Sequence, residues 1–142
     1  MDYLSTADAK RLVVDYWNQV WNEGDPTAPE RFYADGATEN GVPVDARAFA
    51  EAVKSWREKF PDFTVEVHEV LEAEGRVLTR VTYRGTHRAT WAGIPATGRT
   101  FAVPGLDLWR MEGSRIVEHW HVTDHLELVF ALGGTIGSPA GQ

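Results

Sequence analysis

The chain has 142 residues, of which 43% are hydrophobic and 25% are charged, a composition typical of one compact domain and not of a disordered or membrane-spanning chain. It contains no cysteine, which excludes disulfides, thiolate nucleophiles and cysteine-bound metal centres. The formal net charge of −7 argues against nucleic acid as a partner, because phosphate binding depends on lysine and arginine.

The pattern along the chain predicts a single domain over residues 1–133, followed by a flexible tail over residues 134–142. No apolar run approaches the length of a membrane span. The first residues lack the basic and apolar regions of a signal peptide, so we expect a cytoplasmic protein without membrane contact.

Two amphipathic helices are predicted in the first half of the chain. The first has Ser5 or Thr6 as its N-cap and ends at Gly24. Its apolar stripe consists of Leu12, Val13, Tyr16, Trp17, Val20 and Trp21. The second helix is capped by Asp45 and ends at Pro61. Its buried face comprises Phe49, Ala52, Val53, Trp56 and Phe60. Between the two helices we expect a short helical turn over residues 29–33 and then a loop that reaches Pro43.

The hydrophobic period changes to two at Phe63, which predicts strands. Turns at Glu74–Gly75, Gly93–Gly98 and Glu112–Gly113 divide the rest of the chain into four consecutive strands, followed by a short helix over Asp124–Leu132. The expected fold is therefore α+β, with a curved antiparallel sheet wrapped around the N-terminal helices. Such a cone-shaped domain has an interior that can hold a ligand.

The two hairpins of the last three strands bring polar residues together. If the Glu112–Gly113 turn closes the last hairpin, Asp107 lies opposite His119 and Gly105 lies opposite His121. If the preceding loop is centred near Pro95, Tyr83 lies opposite Asp107 and His87 opposite Val103. One face of the sheet would then carry Tyr83, His87, Asp107, His119 and His121.

An aspartate and a histidine within hydrogen-bond reach can perform acid/base chemistry, because the imidazole titrates near neutrality and the carboxylate fixes its tautomer. The alternative is a cross-strand ion pair on a solvated sheet face. His119, His121 and Asp107 also have the residue types of a metal site. Histidines two positions apart on a strand are common without metal, so we predict no bound metal.

Further candidates lie at the ends of the elements. Asp124 is either an acid/base residue or the cap of the last helix. Asn40 belongs, with Asp35 and Glu39, to a polar loop that could close the mouth of a pocket. Trp17 and Trp56 are either core residues or aromatic walls for a flat polycyclic ligand.

Four segments resemble the SnoaL-like polyketide cyclases: Gly85–His87, Gly93–Arg99, Arg115–Trp120 and Leu132–Gly133. The resemblance implies the cone-shaped α+β barrel of the nuclear-transport-factor-2-like superfamily. It also implies an enzyme that closes the ring of an anthracycline-type polyketide by intramolecular aldol condensation, without metal or organic cofactor.

The polar residues of that family are an aspartate on the last strand, a histidine and a glutamine on the preceding strand, and an asparagine from the early loop. In this sequence the aspartate position falls on His121 and the histidine position on Asp107. The glutamine position falls on Gly105, and the asparagine position falls near Thr38 or Asn40. The acid and the imidazole are therefore exchanged, and a local bulge would bring Asp124 into the acid position instead.

This exchange favours a hydroxylase-like branch of the family, in which the enolate reacts with dioxygen and a separate reductase is the partner. Aldol cyclisation and a non-catalytic small-molecule-binding module are the alternatives. The predicted catalytic residues are Asp107 and His121, with Asp124 as second choice. The predicted substrate-binding residues are Trp17, Asn40, Trp56, Tyr83, His87 and His119. Leu106, Leu108 and Trp120 predict an apolar sheet surface that a homodimer would cover.

Overall fold

A computed structural model describes residues 4–137 of the chain. Its elements are α1 (Thr6–Tyr16), a π-helix (Trp17–Asn22), α2 (Ala28–Phe32), β1 (Tyr33–Glu39), β2 (Val42–Pro43), α3 (Ala46–Lys59), β3 (Thr64–Ala73), β4 (Arg76–Thr86), β5 (Thr100–Glu112), β6 (Arg115–Thr123) and α4 (His125–Ala131). The predicted α+β class is confirmed. Of the predicted tail, residues 138–142 lie outside the described part.

The two predicted long helices are present and begin at their expected caps. The Ser5 side chain accepts a hydrogen bond from the backbone N–H of Asp8, and the Asp45 side chain accepts one from Ala48. The first helix widens from α to π geometry at Trp17 before the chain turns at Gly24, whose φ is 66°. Single π-helical turns often lie at functional sites, and this one carries two of the tryptophans of the apolar stripe.

The sheet described over residues 4–137 has six strands in the order β2-β1-β6-β5-β4-β3. The predicted antiparallel meander of β3 to β6 is confirmed, but the expected loop before Pro43 is wrong, because its residues form β1 and β2. Strand β1 pairs with β6 in parallel, so the sheet is not wholly antiparallel. The sheet is curved and open, so it is not a closed barrel.

Alternation along β4 and β5 separates a buried face from an exposed one. The buried face packs against the helices with residues such as Val77, Val81, Val103 and Trp109. The opposite face leaves large apolar side chains in solvent, namely Leu78, Leu106, Leu108, Trp120 and Val122. The core therefore lies between the helices and the concave face of the sheet.

The outer edge of the sheet is covered at one point by a side chain. Asn22, the last residue of the π-helix, accepts a hydrogen bond from the backbone N–H of Val65 through Oδ1, at 2.7 Å. Its Nδ2 donates to the backbone carbonyl of the same residue at 3.3 Å. The amide thus satisfies both free backbone groups of a β3 residue, as a neighbouring strand would.

Strand register differs from the sequence-based expectation, by two residues between β5 and β6. Asp107 lies opposite His121 and Gly105 opposite Thr123, so both predicted pairings are wrong. The turn is Gly113–Ser114, one residue beyond the expected centre, and a bulge between Arg110 and Met111 adds a second residue. Because the two displacements sum to an even number, the side chains keep their predicted face.

Register also differs between β4 and β5. Tyr83 lies opposite Val103 and Asp107 opposite Thr79, so the predicted pair of Tyr83 with Asp107 is wrong. His87 follows the end of β4, and its backbone N–H donates to the carbonyl of Arg99 instead of pairing with Val103. The loop spans residues 87–99 and is centred on Gly93, two residues before Pro95, and the resulting displacement of four residues again preserves the face.

Candidate active site

The concave face of the sheet and the helices enclose a cavity of about 360 Å³. It is lined by Tyr16, Trp17, Trp21, Glu39, Phe49, Ala52, Trp56, Phe63, Tyr83, Phe101, Val103, Asp107, His119, His121, Thr123, His125 and Leu128. Most of these side chains are apolar or aromatic, and the polar groups are concentrated on β5, β6 and the end of β1. This is the usual pattern of a small-molecule site, in which apolar walls surround a few polar groups.

Asp107 is the most buried carboxylate in the cavity wall, with 1% of its surface exposed. Its Oδ1 lies 2.8 Å from Nε2 of His119. Its Oδ2 is buried and has no hydrogen-bond partner among residues 4–137. Burial raises the pKa of Asp107 above its ordinary value, and the hydrogen bond from His119 opposes that increase. One oxygen is thus fixed, and the other is free to exchange a proton.

His119 is held on three sides. Its ring stacks on Trp109, with ring centroids 3.6 Å apart and planes 11° from parallel. Trp109 is itself anchored, because its Nε1 donates to Oγ1 of Thr79 at 3.0 Å. Nδ1 of His119 lies 3.2 Å from the hydroxyl of Tyr33, which lies 2.9 Å from the hydroxyl of Tyr16. The imidazole therefore has little freedom to rotate or tilt.

His121 forms the second imidazole–carboxylate pair of the cavity. Its Nε2 lies 3.0 Å from Oε1 of Glu39, and its side chain is 28% exposed. The hydrogen bond with Glu39 raises the pKa of His121 above its ordinary value of 6.5, and partial burial opposes that increase. His121 is therefore suited to carry a proton near neutral pH, directly opposite Asp107 on the neighbouring strand.

Tyr83 places a hydroxyl beside the same two strands. A Cβ atom added at Gly105 would lie 2.4 Å from Cε2 of the Tyr83 ring, so the absence of a side chain at Gly105 gives the ring its space. Burial and the nearby Asp107 raise the pKa of Tyr83, so the phenol stays protonated and can donate a hydrogen bond.

Six of the nine predicted site residues line the cavity: Trp17, Trp56, Tyr83, Asp107, His119 and His121. The predicted contact between Asp107 and His119 is present. The two residues are not directly opposite each other, since Trp109 lies across from His119. Trp17 is both a core residue and part of the cavity wall. The shared polar face is therefore present without its His87 member.

Three predicted residues lie outside the cavity lining. Asp124 is exposed and caps α4 by accepting a hydrogen bond from the backbone N–H of Glu127 at 3.0 Å, as its structural interpretation predicts. His87 is buried against Phe60, and its Nδ1 lies 3.0 Å from Oγ1 of Thr97, where it fixes the loop before β5. We therefore leave Asp124 and His87 out of the site.

Asn40 supports the site from outside. Its Oδ1 accepts a hydrogen bond from the backbone N–H of His121 at 2.8 Å, and its backbone N–H donates to the carbonyl of His119. These contacts fix the end of β1 against β6, so that Glu39 meets His121. Asn40 positions the pair without lining the cavity.

Sequence reasoning missed three contributors to the site. Glu39 was placed in a loop, whereas it ends a strand that pairs with β6. The signal for it was the polar cluster with Asn40. Tyr16 was assigned to the apolar stripe of the first helix and Tyr33 to the short helical turn over residues 29–33. Nothing in these local patterns distinguishes a tyrosine whose hydroxyl takes part in a buried network from one that only packs.

Two structural observations bear on other classes of protein. Residues 4–137 contain no group of three or more histidine, aspartate or glutamate side chains arranged to hold a metal ion. His119 and His121 instead each face a different carboxylate, with ring centroids 5.5 Å apart. In the same part of the chain, no helix has the length and apolar character needed to cross a membrane.

The open α+β fold and its apolar cavity with a few polar groups agree with the comparison to known families. The model of the SnoaL-like polyketide cyclases matches residues 11–132, and the chain belongs to this family. The predicted resemblance is thereby confirmed. No curated protein sequence matches the chain significantly.

Solved structures agree with this assignment. IdmH from Streptomyces antibioticus, a candidate polyketide cyclase, is 27% identical, with a TM-score of 0.77 over 87% of this chain and 97% of that one. A candidate polyketide cyclase from Acidithiobacillus ferrooxidans is 26% identical, with a TM-score of 0.80 over 94% and 98% of the two chains. TsrD from Streptomyces laurentii, at 24% identity, has the same fold, with a TM-score of 0.82 over 93% and 99%.

Proposed function

We propose that the protein enolises a ketone of a flat, polycyclic aromatic polyketide of the anthracycline type, and that the enolate then closes a ring by intramolecular aldol condensation. The observation that carries the proposal is Asp107, a buried carboxylate in the wall of an apolar cavity, with one oxygen held by His119 and the other without a partner in the described residues. Such a group is a suitable general base for a carbon acid.

The proposed reaction divides proton transfer between two residues. Asp107 removes the proton on the carbon next to a carbonyl group, and the C–H electron pair becomes the enolate. The enolate carbon attacks a second ketone of the same molecule, forming a C–C bond, and the proton of the charged His121 goes to the alkoxide oxygen. Tyr83 is a hydrogen-bond donor for the developing negative charge. The product is an isomer of the substrate, which can then lose water.

The walls of the cavity support a flat aromatic substrate. Trp17, Trp21, Phe49, Trp56 and Phe63 contribute ring faces and edges to the lining. The indole N–H groups of Trp17 and Trp56 are buried without an acceptor within residues 4–137. An unpaired buried donor is unfavourable, and the carbonyl oxygens of a polyketide are acceptors of the right kind. An open cavity also favours an enzyme over a binding module with a filled interior.

Hydroxylation is the second candidate, and it is the branch that the sequence favours. Gly105 lacks the amide that the family resemblance implies at this position, and an aldol reaction needs more hydrogen-bond donors than enolate formation alone. In this reaction the enolate carbon takes one oxygen atom of dioxygen. The other oxygen atom leaves as water, with two electrons from a separate reductase. The raised pKa of His121 supports cyclisation instead, because it supplies the acid that the ketone needs.

The test is to incubate the protein with an anthracyclinone precursor in D₂O and follow products by mass spectrometry, with and without a reductase and oxygen. A ring-closed isomer or loss of water supports cyclisation, and a gain of one oxygen supports hydroxylation. Deuterium entering the carbon next to the ketone reports enolisation in either case. Asp107→Asn should lower exchange by about 10²- to 10⁴-fold, whereas Asp124→Asn, outside the cavity, should not. Equal exchange in wild type and Asp107→Asn would refute the proposal.

We also propose that the protein is a homodimer. The exposed sheet face presents Leu78, Leu106, Leu108, Trp120 and Val122 side by side on three neighbouring strands. Apolar residues grouped in this way mark association surfaces, and a two-fold dimer would pack this face against the same face of a second copy.

A further inference from the structure

We infer that Trp21, Tyr16 and Tyr33 form a hydrogen-bond chain of fixed direction that holds His119 as its neutral Nε2–H tautomer and reserves Oδ2 of Asp107 for proton exchange. The tautomer follows from the geometry of the described residues alone. Its consequence for turnover rests on the proposed function.

The hydrogen-bond chain consists of four contacts. Nε1 of Trp21 donates to the hydroxyl oxygen of Tyr16 at 3.3 Å, and that hydroxyl lies 2.9 Å from the hydroxyl of Tyr33. The Tyr33 hydroxyl lies 3.2 Å from Nδ1 of His119. Nε2 of the same ring lies 2.8 Å from Oδ1 of Asp107.

The direction is set at the indole end. An indole N–H can only donate, so the oxygen of Tyr16 accepts from Trp21 and uses its own proton elsewhere. The Tyr16 hydroxyl therefore donates a hydrogen bond to the oxygen of Tyr33. The Tyr33 hydroxyl in turn donates a hydrogen bond to Nδ1 of His119. An Nδ1 atom that accepts carries no hydrogen. The ring hydrogen is therefore on Nε2, where it is donated to Oδ1 of Asp107.

The opposite direction leaves a buried donor unsatisfied. If Nδ1 of His119 carried the hydrogen, it would donate a hydrogen bond to the Tyr33 oxygen. The Tyr33 hydroxyl would then donate to the oxygen of Tyr16, which already accepts a hydrogen bond from Trp21. The hydroxyl hydrogen of Tyr16 would then lack an acceptor within this chain. Tyr16 is fully buried, and a buried donor without a partner costs free energy comparable to a lost hydrogen bond. The same argument disfavours an imidazolium, which also needs a hydrogen on Nδ1.

The surroundings keep the chain in this state. Burial raises the pKa of both Tyr16 and Tyr33, so the two hydroxyls remain protonated donors. Trp109 stacks on His119 and prevents the ring flip that would exchange its nitrogens. Oδ1 of Asp107 therefore accepts from Nε2 in every step, and a proton taken from a substrate goes to Oδ2. Tyr16 and Tyr33 are positioning residues, because they act through His119.

The experiment is ¹⁵N NMR of the histidine side chains of the folded protein, without substrate, at neutral pH. We expect His119 to show a protonated Nε2 and an unprotonated Nδ1 that accepts a hydrogen bond. Tyr33→Phe should move the Nδ1 resonance, either to the position of a free lone pair or to that of a protonated nitrogen. The matched control is Tyr83→Phe, which removes a cavity hydroxyl that is not in contact with Nδ1 and should leave the Nδ1 resonance of His119 in place.

Two results would overturn the inference. One is a wild-type His119 that carries hydrogen on Nδ1, and the other is a Tyr33→Phe variant with an unchanged Nδ1 resonance. Should Tyr33→Phe fail to fold, Tyr16→Phe removes the donor that orients Tyr33 and should also shift Nδ1. In the exchange assay, Tyr33→Phe should lower kcat by about tenfold with little change in KM. Failure of the proposed function would leave the tautomer measurement unaffected, so the two failures can be told apart.

Discussion

At the residue scale, the site contains two imidazole–carboxylate pairs with different environments. The pair of Asp107 with His119 is almost completely buried, whereas the pair of Glu39 with His121 is partly exposed. Desolvation dominates the first pair and raises the pKa of its carboxyl group, and hydrogen bonding dominates the second and raises the pKa of its imidazole. The cavity thus combines a carboxyl group and an imidazole whose pKa values are both raised, for different physical reasons.

Removing the carboxylate of Glu39 should narrow the pH range of the reaction. If the rate needs an ionised Asp107 and a protonated His121, it falls at high pH as His121 loses its proton. Glu39→Gln removes the group that raises the pKa of His121, so the alkaline limb of the pH–rate profile should move to lower pH. The acid limb, set by Asp107, should move little. The measurement is the rate of ring closure across the pH range for wild type and variant.

The same change gives a readout that does not depend on activity. Because the pKa of His121 is raised in the folded protein, the stabilisation by Glu39 is fully present below the unfolded pKa of about 6.5 and is lost as pH rises through the folded pKa. Glu39→Gln should therefore lower the free energy of unfolding by about 0.5 kcal/mol at pH 6. The difference should shrink at pH 9. A pH-independent difference would contradict the assignment.

At the level of individual side chains, the sequence predicted one pair of the site and missed the other. Asp107 and the histidines of β6 follow a strong alternating pattern, so their face could be deduced. Glu39 could not be paired with His121, because β1 has no apolar alternation and its parallel contact with β6 joins residues far apart in the chain. The hydroxyl contacts of Tyr16 and Tyr33 join residues distant in the chain, which local patterns do not encode.

At the scale of elements, the contact between β4 and β5 depends on the missing side chain of Gly105. Gly105→Ala should displace the Tyr83 ring and lower the free energy of unfolding by about 1–3 kcal/mol, the usual cost of overpacking. In a Tyr83→Ala background, the same change should cost less than about 1 kcal/mol, because the clash is gone. Denaturant unfolding of the four proteins in this cycle measures the coupling. Additive effects would show that the ring and the glycine do not interact.

Strand register explains why the elements were predictable and their pairing was not. The alternation of Val77, Thr79, Val81 and Tyr83 identifies a strand and its inward face. Turn residues at Glu112 and Gly113 indicate where a hairpin lies, but they do not reveal the bulge next to Arg110. Both register errors were even, so the polar face survived them. An error of an odd number of residues would have placed the side chains of Asp107 and His121 on the exposed face of the sheet.

At the scale of the whole molecule, the exposed apolar face is the surface through which we propose that two copies associate. We expect sedimentation velocity at micromolar concentration to give twice the mass of the chain. Leu106→Glu should place a charge in the centre of the proposed interface and yield monomers, because a buried unpaired charge is strongly unfavourable. Ile136→Glu, an equally drastic change at an exposed residue beyond α4, should leave the dimer intact. A monomeric wild type would remove the dimer proposal.

The hydrogen bonds between Asn22 and the backbone of Val65 limit the addition of a strand from another molecule at this edge of the sheet. An extended segment from another molecule that tried to lengthen the sheet at β3 would first have to displace the Asn22 amide. It would then meet a strand on which Glu66 and Glu69 are exposed and charged, each paired with an arginine of β4. The strand at the opposite edge, β2, has only two residues and offers few backbone groups for pairing with another strand. The addition of further strands, as in a fibril, is thus hindered at both edges of the sheet. The exposed face between these edges can therefore carry apolar side chains.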